Sequence, residues 1–262
     1  MTKVISATKV QLIKKIRKVM VRYLKARFHV GAKIEFDRAM KFLKDENIKA
    51  DTISFVDIGA NIGQNLLAIQ KYRRAGQNVR YRGFEMMPEI FKELKKNASE
   101  IACGQDCKVY NYGISSCSGE SIVREAPVAS WNSLNNKNWA GKEIPVSLVN
   151  FDSIKDQLNL SGICIAKIDV EGHEIEVLKG MENAMKESVF QIIFMEAGSN
   201  PEDPQHSDFI KLCTLMRNYG YRLSGIFDIF SYRHEDWKYH YSVGFCNLMF
   251  VKEGFSESVL SQ

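Results

Sequence analysis

The chain has 262 residues, of which 45% are hydrophobic and 26% charged. That balance excludes disordered, collagen-like and coiled-coil chains, and no run of about 18 apolar residues offers a membrane span. Residues 1–34 carry ten basic side chains and no acid, leaving 26 basic against 31 acidic residues from Glu35 onward. The net charge of +5 therefore comes from the N-terminus, and the acidic body lacks the broad basic face of a nucleic-acid enzyme.

In residues 8–27, Leu12, Ile13, Ile16, Met20, Tyr23 and Leu24 recur at three- and four-residue steps, which marks one face of a helix. Lys14, Lys15, Lys18, Arg22 and Lys25 lie mainly off that face. Such a basic amphipathic helix either packs its stripe on a domain, the reading favoured here, or adheres to an anionic membrane or polymer surface. Residues 1–50 read as a helical extension that includes a second helix at about 35–46. Residues 51–262 read as one α/β domain.

From residue 53 the period changes. ISFVDI (53–58) is a short apolar run rich in β-branched residues, followed by glycines and a helical run at about 65–74. VRYRGF (79–84) reads as a second strand, 88–97 as a helix with Pro88 in its first turn, and CKVYNYGI (107–114) as a third strand. Residues 115–150 break the alternation and fit a long loop or short antiparallel strands. ICIAKID (163–169), a helix from His173 to Met185, QIIFME (191–196) and a helix at 207–219 follow. YRLSGIF (221–227) and CNLMFVK (246–252) close the pattern, separated by a loop at 228–245. Strands alternating with helices imply parallel βαβ units with right-handed crossovers, hence a Rossmann-like, doubly wound, mostly parallel sheet.

Of the six cysteines, Cys164 and Cys246 lie in apolar runs and read as small core residues. Cys103 and Cys107 have a spacing zinc can use, but no histidine or second close pair accompanies them, so no zinc site is expected. The N-terminus lacks the apolar core of a secretion signal. Reduced thiols in a cytoplasm are the expectation.

Three segments carry chemistry. In VDIGANIG, Val56 to Gly63, a strand runs into a glycine-bracketed turn and then a helix, whose N-terminus offers unpaired N–H groups. Neither the G-x-G-x-x-G dinucleotide fingerprint nor a P-loop G-K-[ST] is present. Glu85 ends the second strand, where a carboxylate faces the ribose of a bound nucleoside. In KIDVEGHEIEVLKG (167–180), Lys167, Asp169 and Glu171 project together if the strand persists to its end. Burial would then require them to pair with one another or with a ligand.

VDIGANIGQ, FEMMPEIFKELKKN (84–97), KIDVEGHEIEVLKG and the strand ending at Glu196, taken in order, resemble the FkbM-type family of S-adenosylmethionine-dependent methyltransferases. The resemblance covers about residues 53–196 and, with NLMFVK, extends to about 252. It implies an antiparallel last strand and O-methylation, often of sugars or polyketide-derived products. It places Asp57, Gly59, Ala60, Asn61 and Gly63 around the methionine part of S-adenosylmethionine, Glu85 at the ribose and Met86 beside the adenine. Asp169 would face the reaction centre.

Methyl transfer needs alignment of oxygen, carbon and sulfur and removal of the hydroxyl proton. Candidate bases are Asp169, Glu171, His173 and Glu196, with Lys167 among the same charges. Asp169, Glu171 and Glu196 could instead form an oxygen site for Mg²⁺, a reading not favoured here. The expected acceptor is a hydroxyl on a glycan, an activated sugar or a related small molecule. Trp131, His206, Tyr232, His234, Trp237 and Tyr239 on the long loops suit stacking on sugar rings. A rival reading is a non-catalytic binding or scaffold protein that keeps the cofactor fold. Nucleic-acid methylation is disfavoured by the acidic body and the lack of an N-P-P-Y-type motif. A homo-oligomer stays open.

Overall fold

The structure, a computed structural model, describes residues 34–101, 106–126, 132–135, 141–198, 207–233 and 241–255. The amphipathic stretch 8–27 lies outside these residues, as do Cys103, Trp131, Trp139, His206, His234, Trp237 and Tyr239. Among the described residues no helix is long and apolar enough to cross a membrane.

The first half runs α1 (Glu35–Asp45), β1 (Thr52–Ile58), α2 (Gln64–Arg74), β2 (Asn78–Phe84), α3 (Pro88–Ile101) and β3 (Cys107–Tyr110). An insertion follows with β4 (Gly113–Ile114), β5 (Gly119–Arg124) and β6 (Glu143–Val149). The second half runs β7 (Ile163–Ile168), α4 (Glu174–Gly180), α5 (Glu182–Lys186), β8 (Ile192–Gly198), α6 (Phe209–Asn218), β9 (Tyr221–Arg233) and β10 (Tyr241–Lys252).

The main sheet has the order β3-β2-β1-β7-β8-β10-β9. Its first five strands are parallel, and β10 runs antiparallel to both β8 and β9. The chain builds outward from β1 to β3, then returns to the other side of β1 with β7. The reversal opens a crevice between β1 and β7 at their carboxyl ends, where doubly wound sheets bind ligands.

Alternation along β1 decides which side chains meet the site. Ile53 and Phe55 face a core shared with Phe36 and Ala39 of α1 and Leu66 and Ile69 of α2. Val56 and Ile58 face the opposite core, with Val177, Leu178, Leu212 and Met216. Period two puts Asp57 on the same side as Phe55, toward α1 and α2. Lys167 shares that side with Ile165, and its Cα is the register partner of Asp57. The helix α1 thus belongs to the core of the same compact unit as the sheet, which runs from Ile34 onward.

Four expectations change. CKVYNYGI is not one strand: β3 joins the main sheet, whereas β4 joins a separate sheet of order β4-β6-β5. Asn111 makes the break, its amide donating to the carbonyls of Glu85 (2.9 Å) and Met86 (3.1 Å). The helix expected from His173 to Met185 is interrupted at Met181. Asp152 accepts from the N–H groups of Asn183 (2.7 Å) and Ala184 (2.9 Å) and so caps α5 as a separate helix. The expected 228–245 loop is largely strand, because β9 and β10 pair from Tyr221–Lys252 to Arg233–Tyr241. Tyr232 accordingly lies on β9, opposite Ser242. The strand β7 ends at Ile168, so Asp169 and Glu171 lie beyond it rather than on it.

Candidate active site

At the switch point the two chain ends touch. The N–H of Asp169 donates to the Ile58 carbonyl at 3.0 Å, and the N–H groups of Gly59 and Ala60 both donate to the Phe84 carbonyl. Gly59 has φ +76°, and a Cβ there would lie 1.8 Å from the Asp169 carbonyl oxygen. No side chain fits, so glycine is what lets the turn after β1 lie against the end of β7. The turn continues through Asn61, itself left-handed at φ +50°, to Gly63 before α2.

Glu85 closes one end of the crevice. It is buried, and one carboxylate oxygen accepts from the Asn61 N–H (3.0 Å), the other from the Met87 N–H (2.9 Å). Burial pushes its carboxyl above the usual range, and these two N–H groups oppose that rise. Each oxygen keeps a lone pair for a further donor.

Asp57 is wholly buried beneath the turn. One of its oxygens accepts from the Tyr81 hydroxyl (3.0 Å) and lies 3.5 Å from the Asn65 amide nitrogen. The other faces the Lys167 ammonium at 3.6 Å, and that ammonium is 3.0 Å from Asp169. Burial alone would lower the Lys167 pKa. The carboxylates of Asp169, Asp57 and Glu35 outweigh it and hold the ammonium well above its ordinary value. Lys167 is therefore a fixed cation, not a proton acceptor.

The segment after β7 is a strained turn. Glu171 has φ +53° and Gly172 φ +97°. A left-handed glutamate persists only where its surroundings over-determine it. Ser133 donates to the Glu171 carbonyl (2.6 Å) and Asn135 to the Gly172 carbonyl (2.6 Å). Glu174, fully buried, accepts from the N–H groups of Val170 and Gly172 (both 3.2 Å) and from the Ser207 hydroxyl (2.5 Å).

His173 is also held. Its Nδ1 lies 3.3 Å from Asn135 Oδ1 and its Nε2 lies 2.9 Å from the Ser115 hydroxyl. Asn135 Oδ1 only accepts, which assigns the proton to Nδ1 and leaves Nε2 to accept from Ser115. Burial lowers the His173 pKa, so the ring is neutral at neutral pH. Glu196, on β8, brings a carboxylate oxygen within 4.8 Å of those of Asp169 and Glu171. Burial, then the Asp169, Glu171 and Glu174 carboxylates, push its carboxyl up to about 10, so it keeps its proton at neutral pH.

Between these groups lies a cleft of about 160 Å³. Of the residues singled out in the sequence, Gly59, Asn61, Glu85, Met86, Lys167, Asp169, Glu171 and His173 line it. Asp57, Ala60 and Gly63 sit behind the lining and act through the turn, and Glu196 stands beside Asp169 and Glu171. The sequence reading missed Gly113, Ile114, Asn132 and Leu134, which the insertion brings to the same cleft. It also missed Ser133, Asn135 and Ser207, whose sequence signal is only the polar bias of their segments.

A doubly wound sheet with a glycine turn at its switch point and a carboxylate at the end of the neighbouring strand defines an α/β domain that binds a nucleoside cofactor. Comparison with known proteins narrows the class. Residues 57–223 match the methyltransferase FkbM domain. The chain is 31% identical over 147 residues to the hexuronic acid methyltransferase AglP of Haloferax volcanii, covering 56% of this chain and 57% of that protein. Among solved structures, methyltransferase FkbM from Methylobacillus flagellatus aligns at 16% identity and a TM-score of 0.49, over 76% of this chain and 44% of that one. M. capricolum TrmK in complex with S-adenosyl-homocysteine aligns at 8% identity and a TM-score of 0.42, over 81% and 68%. At those scores neither structure adds to what the strand order shows. The chain belongs to the FkbM family of S-adenosylmethionine-dependent methyltransferases.

Proposed function

We propose that this chain transfers the methyl group of S-adenosylmethionine to a hydroxyl of a sugar, glycan or related metabolite, with Asp169 accepting the hydroxyl proton. The observation that carries this reading is one cleft lined by both Glu85 and Asp169. The cofactor fits the residues present. Glu85 has lone pairs left for the two ribose hydroxyls, and Met86, Ile90, Ile114 and Leu134 offer an apolar wall for a purine. The turn from Gly59 to Asn61 brings backbone, without a Cβ at Gly59, to the methionine part. When bound, S-adenosylmethionine supplies an electrophilic methyl group and a neutral thioether leaving group.

The protein's own tasks are then orientation and deprotonation. Lys167 holds Asp169 at 3.0 Å and fixes where its carboxylate points. Asp169 is 36% exposed in its side chain, so an acceptor hydroxyl can reach it. Glu196 carries a proton already and both nitrogens of His173 are engaged; of the two acids that line the cleft, Asp169 and Glu171, it is Asp169 that the Lys167 ammonium orients, and we take it as the base. A relative named for methylating a hexuronic acid supports a carbohydrate acceptor. Unpaired thiols at Cys107, Cys117, Cys164, Cys213 and Cys246 support a reducing compartment.

Asp169→Asn tests the assignment. Turnover should fall by about 10²–10⁴, the usual contribution of a general base. Affinity for S-adenosylhomocysteine should stay within about threefold, since the lost interaction belongs to the transition state. Turnover surviving within about threefold would make Asp169 structural.

A further inference from the structure

Glu35 begins α1, ahead of the residues that match the family domain. An acid in the first turn of a helix is ordinarily a solvated partner of the helix dipole. This one turns inward. Its carboxylate accepts from the Asn65 amide at 3.3 Å, and Asn65 is 1% exposed.

Asn65 makes three contacts with one amide. Its oxygen accepts from the Phe36 N–H at 3.2 Å, so it satisfies a helix-end donor that Ile34 at the cap position does not. Its nitrogen, with two hydrogens, faces Glu35 at 3.3 Å and Asp57 at 3.5 Å. A continuous line of groups then runs Glu35, Asn65, Asp57, Lys167, Asp169. Three carboxylates act on the Lys167 ammonium; Asp169 lines the cleft, whereas Asp57 and Glu35 do not. Burial raises the Glu35 carboxyl above its ordinary value, and the Lys167 charge opposes that rise.

We propose that Glu35 is a positioning residue for methyl transfer: its charge holds the Lys167 ammonium back toward Asp57, so that Asp169 is oriented by Lys167 without being fully neutralised by it. The proposal rests on the reading of Asp169 as the base. Coulomb attraction between the ammonium and each carboxylate falls with distance, and in a buried site it is weakly screened. Removing the charge of Glu35 leaves only Asp57 to compete with Asp169 for Lys167, and the ammonium shifts its pairing toward Asp169. The carboxylate that takes the hydroxyl proton becomes a weaker acceptor, while the cleft wall that meets the cofactor is untouched.

Glu35→Gln separates charge from shape, because the amide oxygen can still accept from Asn65. Turnover of the full-length protein would be followed with labelled S-adenosylmethionine and methyl hexopyranosides as probe acceptors. The expected result is a kcat lower by about tenfold, a part of the 10²–10⁴ a base contributes. The KM for S-adenosylmethionine and the melting temperature should stay at parental values. Independently of any acceptor, the NMR signal of the Lys167 ammonium, assigned by its loss in Lys167→Met, should move in Glu35→Gln. An unmoved ammonium signal, or a parental kcat, would overturn the role of Glu35. So would a fall in kcat matched by an equal loss of cofactor affinity, which marks a merely structural anchor. Asp169→Asn measured alongside separates the two ideas. Turnover surviving there removes the base reading and with it the route by which Glu35 acts. Turnover lost there, with a parental rate in Glu35→Gln, overturns Glu35 alone.

Discussion

Glu85→Ala removes the carboxylate that joins the end of β2 to the turn after β1. Two backbone donors lose their acceptor, the N–H groups of Asn61 (3.0 Å) and Met87 (2.9 Å). The side chain is 7% exposed, but it lines an open cleft, so water can replace it at both donors. The cost to folding should therefore sit near the lower end of the range for a lost hydrogen bond to a charged group, about 1.5 kcal/mol. Cofactor binding loses more, because ribose hydroxyls would meet water-filled space in place of a carboxylate. A loss of about 1.5–3 kcal/mol is expected, which is roughly a ten- to hundredfold weaker affinity. Calorimetry with S-adenosylhomocysteine measures it, with a thermal melt to show that the variant is folded. Glu85→Gln should fall between the two, since it keeps one acceptor and turns a donor toward the other N–H. A folded Glu85→Ala that binds S-adenosylhomocysteine as the parent does would remove Glu85 from the site.

Three further expectations follow from the same geometry. Gly59→Ala places a methyl group 1.8 Å from the Asp169 carbonyl at φ +76° and should destabilise the protein by about 1–3 kcal/mol, read as a melting temperature lower by several degrees; a parental melt would mean that β1 and β7 do not approach as described. Glu196 keeps its proton in the folded state up to about pH 10 but loses it near its ordinary value when unfolded, so the folded state binds the extra proton and its stability declines as pH rises across that window. Glu196→Gln cannot ionise and should gain on the parent in melting temperature steadily from pH 6 to pH 9, whereas parallel curves would show that Glu196 ionises freely. With Asp169 as the proposed base, turnover should persist in a chelator. Activity restored only by Mg²⁺ would hand the activation of the hydroxyl to the Asp169, Glu171 and Glu196 oxygens, which lie close enough to share an ion.

The residues that read clearly from sequence are those whose roles are set by local backbone geometry. Gly59 and Gly63 mark a turn because both have positive φ and a Cβ at Gly59 would strike the Asp169 carbonyl, and the rule for strand ends in doubly wound sheets places Glu85. Strand alternation groups Lys167 with Asp169, and they do meet, at 3.0 Å. Glu171 reaches the same cleft by another route, because β7 stops at Ile168 and Glu171 is itself a left-handed residue of the turn that follows. Alternation cannot register a strand that ends early. Glu174 has the sequence position of an ordinary first-turn acid, yet it is buried and ties Val170 and Gly172 to Ser207. Its contact with Ser207 spans 33 positions, and no periodicity carries such a pairing. Asn65 and Glu35 escaped for the same reason. Each looks like a solvated helix residue until α1 and α2 are packed on the face of β1 that carries Asp57.

The central claim is that a methyl group passes from S-adenosylmethionine to a sugar hydroxyl in the cleft between β1 and β7. Incubation with S-adenosylmethionine labelled with ¹³C in its methyl group, together with methyl hexopyranosides and methyl hexopyranosiduronates, tests it directly. The label should appear as a methyl ether on a ring hydroxyl, with the signal lost in Asp169→Asn. Label found only as a methyl ester on the uronate carboxylate, or on a ring hydroxyl at an undiminished rate in Asp169→Asn, would contradict it.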